Sequence, residues 1–372
     1  MPVQITEVLL SDAAGRARYD QLFEDCPDAF IQQSTYWADT TADLLERRDT
    51  HIFLIATING KDVAGFPLYL YKHPLGNSLS SIPHAGPLGG IFYRKELDAS
   101  TVDEVYAAMV KRAIHLAGQH ECLSLTVITN PFVPDVDRYI PLLEPTYTFR
   151  NFTQYTDLTE FMGTDGKVAW PDYNRRSNLS RNLKRAMAVN FTVKPCETEA
   201  ELKELYDIHV QRHQELNATP LPFRLFENMA KILVPKGKAL ILLVKDGATI
   251  ASGCLYMQHK EVMDVLRLNM NSDYSEKGPN FINTDSSIKW AHERGIKVYN
   301  WQSAISRESG VYRYKVQWGA KEVPYYFLTT LFCETSRIAA IGRETLIKDY
   351  PLHFVVPYGV FDTNFAQRDF IK

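Results

Sequence analysis

An order of elements that occurs twice restricts the fold of this chain more than any other feature. Residues 53–65 (Phe-Leu-Ile-Ala-Thr-Ile-Asn-Gly-Lys-Asp-Val-Ala-Gly) and 242–253 (Leu-Leu-Val-Lys-Asp-Gly-Ala-Thr-Ile-Ala-Ser-Gly) set apolar runs around a tight turn, with a one-residue slip between them. Asn59-Gly60 and Asp246-Gly247 are turn dipeptides of the kind hairpins favour. His51–Thr57 with Val63–Tyr71, and Leu240–Val244 with Ile250–Met257, therefore read as hairpins. Each is followed by a strand, Ser78–Ile82 or Glu261–Met270. A helix comes next: one opens at the capping box Thr101–Glu104 and stops at Gly118, the other spans 281–293 and stops at Gly295. A last strand closes each set, Cys122–Thr129 or Lys297–Trp301. The two sets lie roughly 180–190 residues apart, and a repeat changes the expected fold. The expectation is two α/β modules, with helices at 12–25 and 34–48 leading into the first and Ser34 capping the second of these.

Composition agrees with two cores: 372 residues, 45% hydrophobic, are enough for both. A net charge of −3 gives no support to bulk adhesion to nucleic acid or membranes. Cys26, Cys122, Cys196, Cys254 and Cys333 are scattered, as expected of buried thiols in a reducing compartment. No charged-then-apolar leader opens the sequence and no run approaches the roughly eighteen apolar residues of a membrane helix. The expectation is a soluble, cytoplasmic protein without membrane insertion; nothing indicates an oligomeric state.

Three motifs point away from common chemistries. His209 and His213 have the i, i+4 spacing of a metal pair, but Val210 stands where a zinc protease needs glutamate, so no metal is expected. Gly86–Gly90 is glycine-rich without the Lys and Ser/Thr of a phosphate loop, and Gly-x-Ser-x-Gly does not occur.

The last hundred-odd residues hold the most informative stretch. Val298–Trp301 reads as a short buried strand ending at polar Gln302 and Ser303. Gly310–Gly319 reads as a short helix with Val311, Tyr314 and Trp318 on one face and Gly319 as its stop. Ligands of α/β sheets bind beyond the carboxyl ends of strands, so Gln302, Ser303, Tyr312, Arg313 and Lys315 are candidates for one mouth. Along Glu261–Met270, strict alternation puts Met263, Val265, Arg267 and Asn269 on one face, with Asp264, Leu266 and Leu268 on the other. Arg267 and Asn269, at the strand's end, are candidate substrate contacts. Asp264 reads as a paired structural carboxylate.

A strand ending in a small polar residue, followed by Tyr-Arg-Tyr-Lys-Val-Gln-Trp-Gly at 312–319, resembles the Tyr-x-Phe-Lys-x-x-Phe/Trp-Gly signature of the FemAB-like acyltransferases, tandem proteins of the GNAT superfamily. The resemblance covers most of residues 30–330. It implies an α/β (α+β) fold of two tandem GNAT-like modules with mixed, largely antiparallel sheets flanked by helices. Their implied bounds are 1–157 and 236–332, joined by a helical connector at 158–235, with a C-terminal extension at 333–372.

By the same resemblance, the implied activity is transfer of an acyl or aminoacyl group from an activated donor to an amine of a cell-wall or polysaccharide precursor. Lys315 takes the family's charge-stabilising position. Tyr312 and Gln302 would hold substrate, and Tyr36, Trp37 and His84 match positions bordering the family's peptide groove. The helix read at 174–188 sets Leu179, Leu183 and Met187 on one face and Arg181, Lys184 and Arg185 on another. That basic face is either a phosphate site, for a nucleotide-linked substrate or a tRNA acceptor end, or a solvated face paired with acidic residues of 197–204. The helical-hairpin arm of some family members is absent. Asn271–Asn280 lacks the Arg/Gln-x-x-Gly-x-Gly/Ala turn that holds pyrophosphate in acetyl-CoA-using relatives. No tightly bound cofactor is implied; the donor is an aminoacyl-tRNA or an acyl-CoA. The competing readings are an acyl-CoA-dependent N-acyltransferase of another small molecule and a catalytically silent binding module.

Overall fold

The computed structural model describes residues 2–42, 44, 49–82, 89–161, 178–304, 306–350 and 353–361. The chain forms two compact units, Met1–Thr153 with Val323–Lys372, and Gln154–Glu322. The connector expected at 158–235 lies in the second unit, and the segment expected as a terminal extension belongs to the first.

The first unit begins with β1 (Gln4–Leu9), α1 (Ala13–Asp25) and α2 (Thr35–Thr41), the last capped by Ser34 Oγ on the Trp37 N–H. The hairpin β2 (Asp49–Ile58) and β3 (Lys61–Tyr71) turns at Asn59 and Gly60, both with positive φ (52° and 76°), the conformation an Asn-Gly pair tolerates best. Then follow β4 (Asn77–Ser80), β5 (Phe92–Tyr93), α3 (Ala99–Gln119), β6 (Cys122–Ile128), α4 (Val136–Leu143) and β7 (Tyr147–Asp157), whose last residues, from Gln154, belong to the second unit. β4 and β6 pair in parallel across the α3 crossover. β1 with β2, β2 with β3, and β3 with both β4 and β5 are antiparallel. The core between sheet and α3 includes Leu54, Phe66, Leu68, Leu79, Met109 and Leu125. The helix opens earlier than expected: Asp98, not Thr101, is its cap, and Asp98 Oδ1 accepts the Thr101 N–H at 2.8 Å. Gly118 lies inside the helix, and the left-handed residue that ends it is Glu121.

The second unit continues with α5 (Asn178–Met187), β8 (Thr192–Pro195), α6 (Glu199–Glu215), α7 (Phe223–Asn228), the hairpin β9 (Ala239–Asp246) and β10 (Thr249–His259), β11 (Val262–Met270), α8 (Pro279–Glu293), β12 (Val298–Gln302) and α9 (Gly310–Gln317). Its strand order is β8-β9-β10-β11-β12, followed by the end of β7. β11 and β12 pair in parallel across the α8 crossover, as β4 and β6 do across α3. The chain then returns to the first unit through β13 (Lys321–Leu331), which pairs antiparallel with β6, and α10 (Thr335–Ile341) and α11 (Arg343–Asp349). Ile338, Leu346 and Tyr350 pack there with Tyr71 and Leu123. The fold is α+β, with a mixed, largely antiparallel sheet flanked by helices.

One departure from the expected pattern matters for function. The β10–β11 register runs Leu255↔Arg267 and then Tyr256↔Val265, so Leu266 is an extra residue, a β-bulge. A bulge resets the alternation. Leu268 joins Met263 and Val265 on the face that packs with Cys254 and Tyr256. Arg267 and Asn269 turn to the opposite face, with Asp264, beneath α6. The expectation that Asp264 faces away from Arg267 and Asn269 is thus corrected. The approach of α6 there depends on Gly253, where an added Cβ would lie 2.5 Å from Leu205 Cδ1. Gly253→Ala should destabilise the chain by about 1–3 kcal/mol through overpacking, measurable as a lower urea midpoint at unchanged m-value.

Among the described residues no helix is long and apolar enough to cross a membrane. All five cysteines are free.

Candidate functional site

Parallel strands β11 and β12 hold together over three pairs only, Val262↔Val298, Met263↔Tyr299 and Asp264↔Asn300. Beyond these the ladder stops, although β11 runs on to Met270 and β12 to Gln302. The two carboxyl-terminal ends therefore enclose a split in the sheet. At its base Asn300 Nδ2 donates to the buried Asp264 carboxylate, the structural pairing expected of that residue.

On the β12 side the strand ends in a second irregularity. Its pairing with β7 jumps from Asn300↔Tyr155 to Gln302↔Gln154, and Gln302 takes a left-handed conformation (φ 63°). Two consecutive carbonyls are gathered by one side chain: Lys315 Nζ donates to Gln302 O at 2.8 Å and to Ser303 O at 2.9 Å. Helix α9 sets Lys315 there. Ser309 Oγ caps it on the Tyr312 N–H, Gly319 (φ 73°) stops it, and Tyr314 and Trp318 anchor its inner face against Trp301 and Phe281. Tyr314 Oη is also held by Thr284 Oγ1 and Asn280 O. Val311, expected on that inner face, is 59% exposed, because the inward stripe of this short helix passes through Tyr314, Lys315 and Trp318.

Lys315 is only 5% exposed and has no carboxylate partner among the described residues. Burial pushes its ammonium down to about 7. With two N–H bonds committed to carbonyls, the nitrogen has one position left, a third N–H when charged. The side-chain Nε2 of Gln302 is buried and has no acceptor among the described residues.

Across the split, Arg267 and Asn269 stand on β11. Burial lowers the Arg267 guanidinium, and its buried Nε has no acceptor among the described residues. Asn269 is 3% exposed; its Oδ1 lies 2.9 Å from Nδ1 of the fully buried His209 on α6. His209 and His213, candidate metal ligands by spacing alone, are instead joined to protein groups: His213 Nδ1 meets His209 O, and the Leu221 N–H donates to His209 Nε2. No metal-binding group of His, Cys, Asp or Glu occurs among the described residues. Sequence reasoning missed His209 as a neighbour of the site, and only the bulge in β11 brings Asn269 to it.

In the loop ahead of α8, four N–H groups are bonded within the turn itself. Asp273 N bonds Asn271 Oδ1, Tyr274 N bonds Asn271 O, Gly278 N bonds Tyr274 O and Phe281 N bonds Gly278 O. Arg185 lies against it, for a Cβ on Gly278 would sit 3.8 Å from an Arg185 terminal nitrogen. Arg181 and Arg185, with Asn178, Asn182 and Gln317, line an open polar recess of about 340 Å³. Both guanidinium groups bond asparagines of their own helix. Lys184 is exposed on the same helix. Three of the four acids of 197–204 are engaged elsewhere: Glu197 with Lys194, Glu201 with Lys194 and Lys245, Glu204 with the Ile250 N–H. The apolar stripe of α5 is Leu179, Leu183 and Ala186, while Met187 is 50% exposed.

Tyr312, on α9, has its phenol raised first by a hydrogen bond to Glu322, which also pairs with Arg307. In the first unit Trp37 is fully buried and Tyr36 partly so. His84 lies outside the described residues.

A family model of the acetyltransferase (GNAT) domain matches residues 173–316, the stretch that carries the split and most of α9. The crystal structure of FemX superposes with a TM-score of 0.64 at 14% identity, covering 87% of this chain and 97% of that one. The chain has a GNAT-superfamily acyltransferase fold. A tandem GNAT protein from the clavulanic acid biosynthesis pathway (TM-score 0.53, 10% identity, 89% and 99% covered) shares this GNAT fold. So does the C-terminal domain of a putative lysylphosphatidylglycerol synthetase from Agrobacterium fabrum (0.56, 13%, 90% and 97%). No curated protein matches the chain in sequence.

The lysine makes a measurable demand on stability. Its folded value near 7 lies below the usual 10.5, so between these limits the unfolded chain binds the extra proton. Stability contributed at this position is therefore least below pH 7 and rises as pH climbs towards 10.5, by up to about 1.4 kcal/mol per pH unit. Urea unfolding from pH 6.5 to 9.5 should show that slope in the wild type and lose it in Lys315→Met.

Proposed function

We propose that this protein is a FemAB-like N-acyltransferase built from a tandem duplication of GNAT modules. In this reading it moves an acyl or aminoacyl group from an activated donor to an amine of a cell-wall or polysaccharide precursor on the cytoplasmic side. The observation that carries the reading is Lys315: a buried cation without a counter-ion among the described residues, held by two carbonyls at the mouth of a split sheet, in the signature Tyr-Arg-Tyr-Lys-Val-Gln-Trp-Gly.

In the reaction the acceptor nitrogen attacks the donor's acyl carbon, and the carbonyl electron pair moves onto oxygen. The third N–H of Lys315 meets that oxyanion. The C–N bond persists as the tetrahedral centre collapses, the donor's C–O or C–S bond breaks, and the amine proton ends on the departing hydroxyl or thiol. Gln302, Ser303 and Tyr312 line the acyl end; Arg267 and Asn269 contact the substrate across the split. By the resemblance alone, Tyr36 and His84 are assigned to acceptor binding, whereas the fully buried Trp37 packs in the core of the first unit.

Aminoacyl-tRNA is favoured over acyl-CoA as donor. Two observations support this preference: four N–H groups of the loop before α8 are bonded within its own turn, and Arg181 and Arg185 line an open recess with Lys184 exposed on the same helix. A donor screen by thermal shift separates the two, since a ligand at a hundred times its dissociation constant adds about 2.7 kcal/mol.

Lys315→Ala should lower kcat/KM by about 10²–10³-fold with the fold intact, and Lys315→Arg should retain part of the rate without the alkaline fall that deprotonation near pH 7 produces. Full activity in Lys315→Ala would overturn the reading. Replacing Arg181 and Arg185 by Ala should weaken donor binding and reduce the slope of log affinity on log salt by about one to two.

A further inference from the structure

We propose that the molecule bound in the split between β11 and β12 carries a carboxylate, received by Arg267 and Asn269, with His209 as the residue that orients Asn269. This deepens the acyltransfer reading and rests on it: the acceptor is then an amino acid or a peptide end with a free carboxylate.

The geometry runs from helix α6 to the split. The Leu221 N–H donates to His209 Nε2 at 3.0 Å, so the ring's single proton is on Nδ1. Nδ1 in turn donates to Asn269 Oδ1 at 2.9 Å. Burial, against the opposing hydrogen bond to Asn269, holds His209 down to about 4, so this neutral tautomer persists through the physiological range. With its oxygen pinned to α6, the Asn269 amide must present Nδ2 the other way. That Nδ2 is buried and has no acceptor among the described residues.

Arg267 stands two residues earlier on the same face, because the Leu266 bulge has reset the alternation. Its guanidinium makes no ion pair with a described residue, and its buried Nε has no acceptor among them. Both residues lie beyond the last β11–β12 pair, on the stretch of β11 that β12 has left. Buried donors without acceptors are rare in native proteins, and two on one face point to an acceptor that arrives with a ligand.

The donor set selects the class of that acceptor. A free Nε with the adjacent terminal nitrogen forms the side-on fork that matches a planar carboxylate. One guanidinium balances one negative charge. Asp264 shares this face, and its carboxylate would repel a phosphate dianion more strongly than a carboxylate monoanion.

The test measures binding to the full chain by saturation-transfer NMR and thermal shift. The probes are glycine, L-alanine and D-alanine, each against its carboxamide, and inorganic phosphate. Carboxylates should bind at least about tenfold more tightly than the amides, and phosphate should bind more weakly than the carboxylates. Arg267→Gln should remove the preference. Asn269→Asp still accepts from His209 but places a carboxylate beside Arg267, so it should raise Tm and abolish probe binding. His209→Leu, folded, should reduce the preference by freeing the Asn269 amide. Carboxylates that bind no better than amides, that do not bind, or that bind more weakly than phosphate would each overturn the proposal. Lys315→Ala should keep the carboxylate preference. If that variant is fully active while the preference stands, the acyltransfer reading fails alone; if Lys315 is essential but no preference exists, the carboxylate site fails alone.

Discussion

The second unit depends on where two parallel strands stop pairing. A parallel ladder normally continues for the length of the shorter strand, yet β12 leaves β11 after Asp264↔Asn300. The buried Asp264–Asn300 hydrogen bond closes the last rung. Beyond it each strand carries an irregularity: the Leu266 bulge in β11 and the left-handed Gln302 in β12. Both are local costs in backbone pairing. Such costs persist where the surrounding packing over-determines them, and here the aromatic cluster of Tyr299, Trp301, Tyr314 and Trp318 does so.

The same region concentrates groups that a purely structural core would avoid. Among the described residues, Lys315 is a buried amine without a carboxylate and Arg267 a largely buried guanidinium without one, while Asn269 and Gln302 each hold a buried amide nitrogen that meets no acceptor. Each group costs stability. Under the proposed acyl transfer they would act as a preorganised field of donors, the arrangement that stabilises developing negative charge most strongly. The aromatic and aliphatic packing of the unit offsets that cost, from Leu179 and Leu183 to Met263, Ile288 and Trp318.

Much of the molecule was legible in the order of residues. The two hairpins around Asn59-Gly60 and Asp246-Gly247, the strands after them and the helix at 310–317 follow from turn chemistry and apolar periodicity, which act over a few residues. Lys315 was legible through its signature, and Asp264 through its place in an apolar strand. The faces of β11 were not, because a bulge arises from the fit between two strands and leaves no mark in the alternation itself. The α3 cap was misplaced by three residues because Asp98 and Thr101 are both competent caps, and packing decides between them. His209 was read only for its spacing to His213; its partner Asn269 lies 60 residues away.

By itself the sequence determined the element order, the hairpin turns, the basic face of α5 and the lysine at the end of a short helix, since these depend on neighbours within one or two turns of chain. Tertiary structure alone decided which strands part, which face Arg267 and Asn269 occupy, which carbonyls Lys315 gathers, and that the chain returns after Glu322 to complete the first unit. Those outcomes depend on burial and pairing between residues far apart in sequence, where the energy of a contact is set by the partner and not by the residue alone.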